Sequence, residues 1–376
     1  MIPVNQPLIA KNALKYVSDC IKTGWISSAG TYITRFEEAF AKFVGIKHAI
    51  TTTNGTTALH LALATLGIGP GDEVILPDHT MFACAAAVIY TGAKPIVVDV
   101  ERGTGNIDTS QIEKKFTKRT KAIMPVHIYG HPADMDPIVK LSKKYKLAIV
   151  EDAAEAHGAL YKGKMVGSFG TINAFSFYAN KIVTTGEGGM VVTNDDKLAQ
   201  KARMLKDLAH SPKRRFLHEE IGFNYRLTNL QAALGLAQLE EVNRFIQKKQ
   251  WMAKLYNELL ADIEGITLPA EKPWIRNVYW MYAMLIEDSF GITRDELQKR
   301  LKDADIDTRT FFIPLHRQPA LIKPGHYTGR EKDYPIADEI SQRGMYLPSG
   351  LAITKKEIEM ICYTIHEIAR KAKKKK

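Results

Sequence analysis

The chain has 376 residues, 45% apolar and 25% charged, a composition of ordinary globular character that allows a large domain with a smaller companion. The longest apolar run, residues 81–90, is about half the ~18–20 residues a bilayer demands, so neither a membrane span nor a membrane partner is expected. Of the net charge of +11, residues 370–376 (RKAKKKK) hold six positive charges in what reads as a solvated, frayed tail. The remainder is only mildly basic, which suits an anionic small substrate and removes the main argument for nucleic acid.

The opening residues lack the basic and apolar regions of a secretory signal. Residues 33–43 place Phe36, Phe40 and Phe43 on one helical face. A short strand at 48–52 leads into Asn54-Gly55-Thr56-Thr57 and a helix with Leu59, Leu63 and Leu66 on one side. Strands are predicted at 73–76, 95–99, 121–125 and 146–151, with helices near 81–91, 108–116 and 135–144 between them. Short apolar strands alternating with helices imply an α/β fold with a mostly parallel sheet covered on both faces. Ligands in such sheets gather beyond the strand carboxyl ends. Residues 226–260 read as long helical segments. After them the pattern changes to a strand at 278–286, a helix at 293–303, Pro- and Gly-rich loops, and a helix at 354–370. That predicts a smaller α+β unit, with large and small domains at 1–250 and 251–376. The cysteines, Cys20, Cys84 and Cys362, are scattered and odd in number. They support neither a disulfide framework nor a zinc site, no metal is expected, and a reduced cytoplasmic setting fits.

Strand 146–151 ends in Glu151-Asp152. A carboxylate at a buried strand tip is costly without a cationic partner; a helix N-cap is the alternative reading of Asp152. Lys181 follows in an apolar, aromatic run and leads into Gly-rich sequence. Burial disfavours a lysine's charged form, and a neutral amine can attack an aldehyde. A snorkelling surface lysine is the bland alternative. The pairing with Asp152 points to pyridoxal phosphate, which needs a lysine for its Schiff base and a carboxylate against its ring nitrogen. The turn at Gly55-Thr56 suits its phosphate, and Ser176 offers a hydroxyl.

The run FSFYANKIVTTGEGGMVVTND, with VEDAAEAHGA and NGTTALHLAL before it, resembles the sugar aminotransferases of the DegT/DnrJ/EryC1/StrS type. The likeness extends through GWISSAG at 24–30, PVHIYGHPADMDPI at 125–138, IGFNYRLTNLQAALGLAQLE at 221–240 and RTFFIPLH at 309–316. It implies a fold-type I pyridoxal-phosphate aminotransferase acting on a nucleotide-linked keto-sugar with L-glutamate as amino donor. SFYANKIVTTGEGGM, GFNYRLTN, VYWMY and RGMYLPS resemble the branch acting on GDP-4-keto-6-deoxy-D-mannose, with a UDP- or dTDP-linked sugar as the alternative. A related dehydratase carries histidine in place of Lys181, so lysine argues against it.

Carried over by that resemblance, Lys181 bears the cofactor and shuttles the proton, Asp152 pairs with the ring nitrogen, and Glu155 lies close to the ring. Gly55, Thr56 and Ser176 bind the phosphate. Asn224 reaches the cofactor of a neighbouring subunit, which implies a homodimer with shared sites. Trp25, Ser27 and Gly30 fall in the substrate-binding loop, and Arg309 and His316 are expected to face the sugar or diphosphate. Relatives usually carry a ring-stacking aromatic where this chain has Met81, with Phe82 the adjacent candidate.

Overall fold

A computed structural model describes residues 1–373 except 212, 215, 324, 325, 327 and 328; the end of the basic tail, residues 374–376, lies outside the described residues. Four parallel strands stand in the order Lys94–Val98, Glu73–Pro77, Thr120–Ile123, Ala148–Ile149. The sheet continues through single parallel bridges, Val126 to Asp152 and Asp152 to Ala174, into strand Asn173–Ser176. Gly189–Thr193 then pairs antiparallel with both Asn173–Ser176 and His48–Thr52. The strands are apolar on both faces because helices cover both, and Val74, Ile75, Leu76, Ala122 and Ile123 are fully buried. This is the α/β fold with a mostly parallel, helix-flanked sheet that the alternation of strands and helices predicts.

Strand 146–151 is shorter than its apolar pattern because Lys146 adopts a left-handed conformation (φ 54°) that ends the preceding helix. Its ladder nevertheless carries on by single bonds, Val150 N–H to Ile123 and Asp152 N–H to Pro125. Those bonds carry Asp152 to the carboxyl end of the sheet, between Val126 and Ala174. The long helical stretch begins only at Asn229, where Thr228 and Gln231 form a capping box, and it breaks at Glu241 into Asn229–Glu240 and Val242–Leu260.

A second sheet is wholly antiparallel, in the order Ile266–Thr267, Tyr282–Ile286, Gly344–Leu347, Arg309–Thr310. Helices Arg294–Asp303 and Lys355–Lys373 close a separate core with it, in which Tyr256 and Tyr282 stack at 4.5 Å. The helix Val242–Leu260 serves both cores, Phe245 and Ile246 in the large one and Met252 and Tyr256 in the small one. Residues 278–281 leave the expected strand because Tyr279 has φ 46° and the Trp280 carbonyl accepts from the buried Lys249 ammonium instead of a ladder partner. The tail departs from expectation as well. The last helix runs on through Lys373, Ala372 is buried, and Lys373 pairs with Glu264.

Candidate active site around Lys181

A cavity of about 430 Å³ opens at the carboxyl ends of the parallel strands, walled by residues of the larger core and its surroundings. Its lining includes Gly55, Thr56, Met81, Asp152, Glu155, Ser176 and Lys181, so the structure gathers seven of the expected residues in one place. Its size falls within the usual range for small-ligand pockets.

One end of the cavity is a helix start. Asn54 caps helix Gly55–Thr65: its side chain accepts from Thr57 N–H at 2.9 Å, and Thr57 returns a bond to the Asn54 backbone. The Ala58 N–H takes the Asn54 carbonyl. Gly55 and Thr56 are therefore the first-turn N–H groups left for a ligand, at the positive end of the helix. A side chain at Gly55 would bring its Cβ to 2.7 Å from Ser176 Cβ. Glycine is what lets the helix start touch the serine.

The strand-tip carboxylates divide the work. Glu151 is fully buried and accepts from the N–H groups of Gly167, Phe169 and Gly170 and from His127 Nε2. It anchors the loop ahead of the next strand. Asp152 faces the cavity: Oδ1 accepts from Ala154 N–H at 3.0 Å and Oδ2 from the Cys84 thiol at 3.0 Å. Cys84 also lies 3.3 Å from Thr80 Oγ1. Burial first, and the Asp152 charge second, hold the Cys84 thiol far above its ordinary pKa, so it stays a proton donor.

Lys181 Nζ lies 3.6 Å from Glu155 Oε1 and 3.6 Å from the centroid of the Trp280 ring. Burial lowers the lysine's pKa, against the pull of Glu155 and Asp152. Burial also raises Glu155 to about 7, opposed by Lys181 and by the Tyr129 N–H that donates to it at 2.7 Å. The pair is driven toward neutrality, which keeps a lysine nucleophilic and a proton at hand. Tyr129 holds that position at φ 54°, fully inside an aromatic cluster with Phe312 and Trp280. His157 is buried without a hydrogen-bond partner among the described residues, and burial pushes it down to about 3.

Residues 7–366 match the DegT/DnrJ/EryC1/StrS aminotransferase family. The chain belongs to that family. The GDP-perosamine synthase of Caulobacter vibrioides is 44% identical to it over 98% of this chain and 98% of its own. S. venezuelae DesV, solved in complex with ketimine intermediate, is 36% identical and superposes with a TM-score of 0.89, covering 95% of this chain and 94% of its own. Spr1654 from Streptococcus pneumoniae, solved in a PLP form, reaches a TM-score of 0.92 at 25% identity and covers 99% of each chain. This chain is thus an aminotransferase, and family and structural neighbours point to pyridoxal phosphate as its cofactor.

The remaining expected residues lie elsewhere in the aminotransferase. Trp25 and Gly30 line a second cavity of about 430 Å³ that shares no lining residue with the first, and Ser27 is exposed beside them. Asn229 organises this loop. It donates to the Trp25 carbonyl at 2.7 Å and accepts from Tyr32 N–H at 3.0 Å, while its own N–H takes the Ser27 carbonyl. A Cβ at Gly30 (φ 151°) would sit 2.3 Å from the Asn229 side chain. Asn224 is exposed and outside the Lys181 cavity. Arg309 is exposed and paired with Asp307, but its strand register sets it opposite Tyr346, which lines the cavity. His316 does not reach the cavity: it is buried between Asp78 and Asp338, with Tyr334 stacked on it. That bond network, closed by His316 N–H to Asp78, fixes the segment after Phe312.

Met81 lines the cavity and is half exposed, whereas Phe82 packs against the core and is not part of the lining. Tyr178, within the Lys181 run, lines the cavity, and three further aromatic walls come from distant segments: Trp280, Phe312 and Tyr346. Sequence reasoning gave none of these three a role, nor Cys84. The signal for the aromatics was present, since each sits in a family-like run (VYWMY, RTFF, RGMY). Cys84 carried none within its alanine-rich helix.

Proposed function

We propose that this aminotransferase moves the amino group of L-glutamate onto C4 of GDP-4-keto-6-deoxy-D-mannose, giving GDP-perosamine. The observation that carries the chemistry is Lys181 Nζ set beside Glu155 in one cavity with Asp152 and the Gly55 helix start. The sugar is argued from the name of the 44% identical C. vibrioides relative over nearly its full length.

The residues present fit pyridoxal phosphate. Gly55 and Thr56 offer N–H groups, and Ser176 a hydroxyl, where a Cβ would fill the cradle. Asp152 offers a carboxylate to a protonated ring nitrogen, and Lys181 an amine for covalent attachment. The cofactor, when bound, supplies an electron-accepting ring that makes a neighbouring C–H acidic. Lys181 Nζ takes the α-proton of glutamate in the first half-reaction and delivers a proton to C4 of the sugar in the second. Glu155 holds that nitrogen and buffers its charge. Positioned proton transfer of this kind contributes ~10²–10⁴-fold.

Trp25, Ser27, Gly30 and Arg309 are proposed to bind the nucleotide-sugar, and Met81 to lie against the cofactor ring. Two copies are proposed to share their sites, with Asn224 reaching the partner's phosphate; the exposed Ile221, three residues before it, supports a surface that another chain covers. Among the described residues no helix is long and apolar enough to cross a membrane. Three free, buried cysteines support a cytoplasmic reading.

The test is turnover of the purified protein with L-glutamate and the GDP-, UDP- and dTDP-linked 4-keto-6-deoxy sugars. A GDP-amino sugar with 2-oxoglutarate is expected. A clear preference for the UDP or dTDP substrate overturns the sugar assignment while leaving the aminotransferase standing.

A further inference from the structure

Lys181 is pinned by a residue far along the chain. The indole N–H of Trp280 donates to the carbonyl of Asn180 at 2.9 Å. Asn5 donates to the same carbonyl at 3.3 Å. That carbonyl belongs to the peptide unit whose N–H, on Lys181, donates to Tyr178 at 2.9 Å. The plane leading into the lysine is therefore held at both ends, which fixes where its side chain starts. The same indole then presents its ring face to the far end of that side chain, with Nζ 3.6 Å from the centroid. Trp280 itself is held. It is 4% exposed, and its carbonyl accepts from Lys249 Nζ at 2.8 Å, an ammonium that also donates to the Ser349 carbonyl.

We infer that Trp280 is a positioning residue for Lys181: its N–H sets the backbone before the lysine, and its ring face holds the side-chain nitrogen in place while it carries the transferred proton.

This inference rests on the proposed proton-transfer role of Lys181. A lysine has four carbons with which to carry its charge toward water. In a cavity that disfavours the cation, an unheld ammonium would leave the reacting carbon. A ring face attracts a desolvated cation by ~2 kcal/mol. It does so without forming a bond that the lysine must break to act as a base. The groups around Nζ are the carboxyls of Glu155, at 3.6 Å, and Asp152, which favour the cation, the neutral Cys84 thiol, and the buried His157. The aromatic face adds to the first set and leaves Nζ free to move between carboxylate and substrate.

The experiment uses the full chain as wild type, Trp280→Phe and Trp280→Leu, with folding checked by circular dichroism. In cofactor-free protein, the acylation rate of Lys181 by acetic anhydride is followed against pH by peptide mass spectrometry. The titration midpoint should fall by about one unit in the leucine variant and by less in the phenylalanine variant, which keeps a ring face. In the loaded enzyme, Trp280→Leu should lower kcat of the glutamate half-reaction about 10-fold with KM within about two-fold, a split that loss of the cation-holding face predicts. Trp280→Phe should lose several-fold in kcat, because the bond to Asn180 is gone. A leucine midpoint at or above wild type overturns the inference. If that variant does not fold, a phenylalanine variant with wild-type kcat overturns it. Failure of borohydride to trap pyridoxal phosphate on wild-type Lys181 would count against the proposed function, since the anhydride titration needs no cofactor.

Discussion

Cys84, itself fully buried, donates its thiol hydrogen to Asp152 Oδ2 at 3.0 Å. The carboxylate has its other oxygen on Ala154 N–H, so its plane is set by one weak side-chain donor and one backbone donor. Cys84→Ala should let the plane turn and weaken pyridoxal phosphate retention about five-fold, the worth of one ordinary hydrogen bond. Cys84→Ser, a better donor of similar size, should restore it. Absorbance titration of cofactor-free protein measures both, and an alanine variant that binds as wild type would remove Cys84 from the site.

Lys181→Ala should abolish borohydride-stable attachment of the cofactor and lower turnover by ~10²–10⁴-fold or more. The variant should fold, because the lysine side chain leaves only a small void at a cavity wall. Mass spectrometry after reduction and single-turnover kinetics check the two parts separately. Turnover at the wild-type rate would refute the assignment.

Glu155 gives a pH signature with a definite sign. Its folded pKa of about 7 lies above the ordinary carboxylate value of 4.5, so the folded state binds the proton more tightly. Its contribution to stability is full below 4.5 and is lost as pH rises through 7. Glu155→Gln removes that titration. In cofactor-free protein the variant should gain on wild type by about 3 kcal/mol between pH 4.5 and 7. Denaturant melts at several pH values measure this, and parallel profiles for the two proteins would contradict it.

Gly55→Ala forces a Cβ to 2.7 Å from Ser176 Cβ and 3.0 Å from its Oγ. The helix start and the serine must separate. That should cost ~1–3 kcal/mol of stability, as overpacking does, and weaken cofactor binding at least about 10-fold by spreading the phosphate donors. Calorimetry and the same absorbance titration distinguish the two losses. A variant with unchanged affinity would mean that the cradle lies elsewhere.

The sequence by itself determined what depends on neighbours in the chain. The apolar strand runs and the turn at residues 54–57 between a strand and a helix are local signals, because a strand's burial and a helix's first turn are set within a few residues. The chemistry of Lys181 with Asp152 was also legible, since it follows from what each side chain can do and from their order after buried strands. Only the tertiary structure decided which side chains meet. Trp280 touches Asn180 across 100 positions, and Cys84 reaches Asp152 across 68. His316 looked fit to face a phosphate, yet Asp78, 238 residues away, takes it into the interior. The direction of a side chain is fixed by what packs against it, and for these residues the packing partner lies on a distant segment whose position no local periodicity encodes.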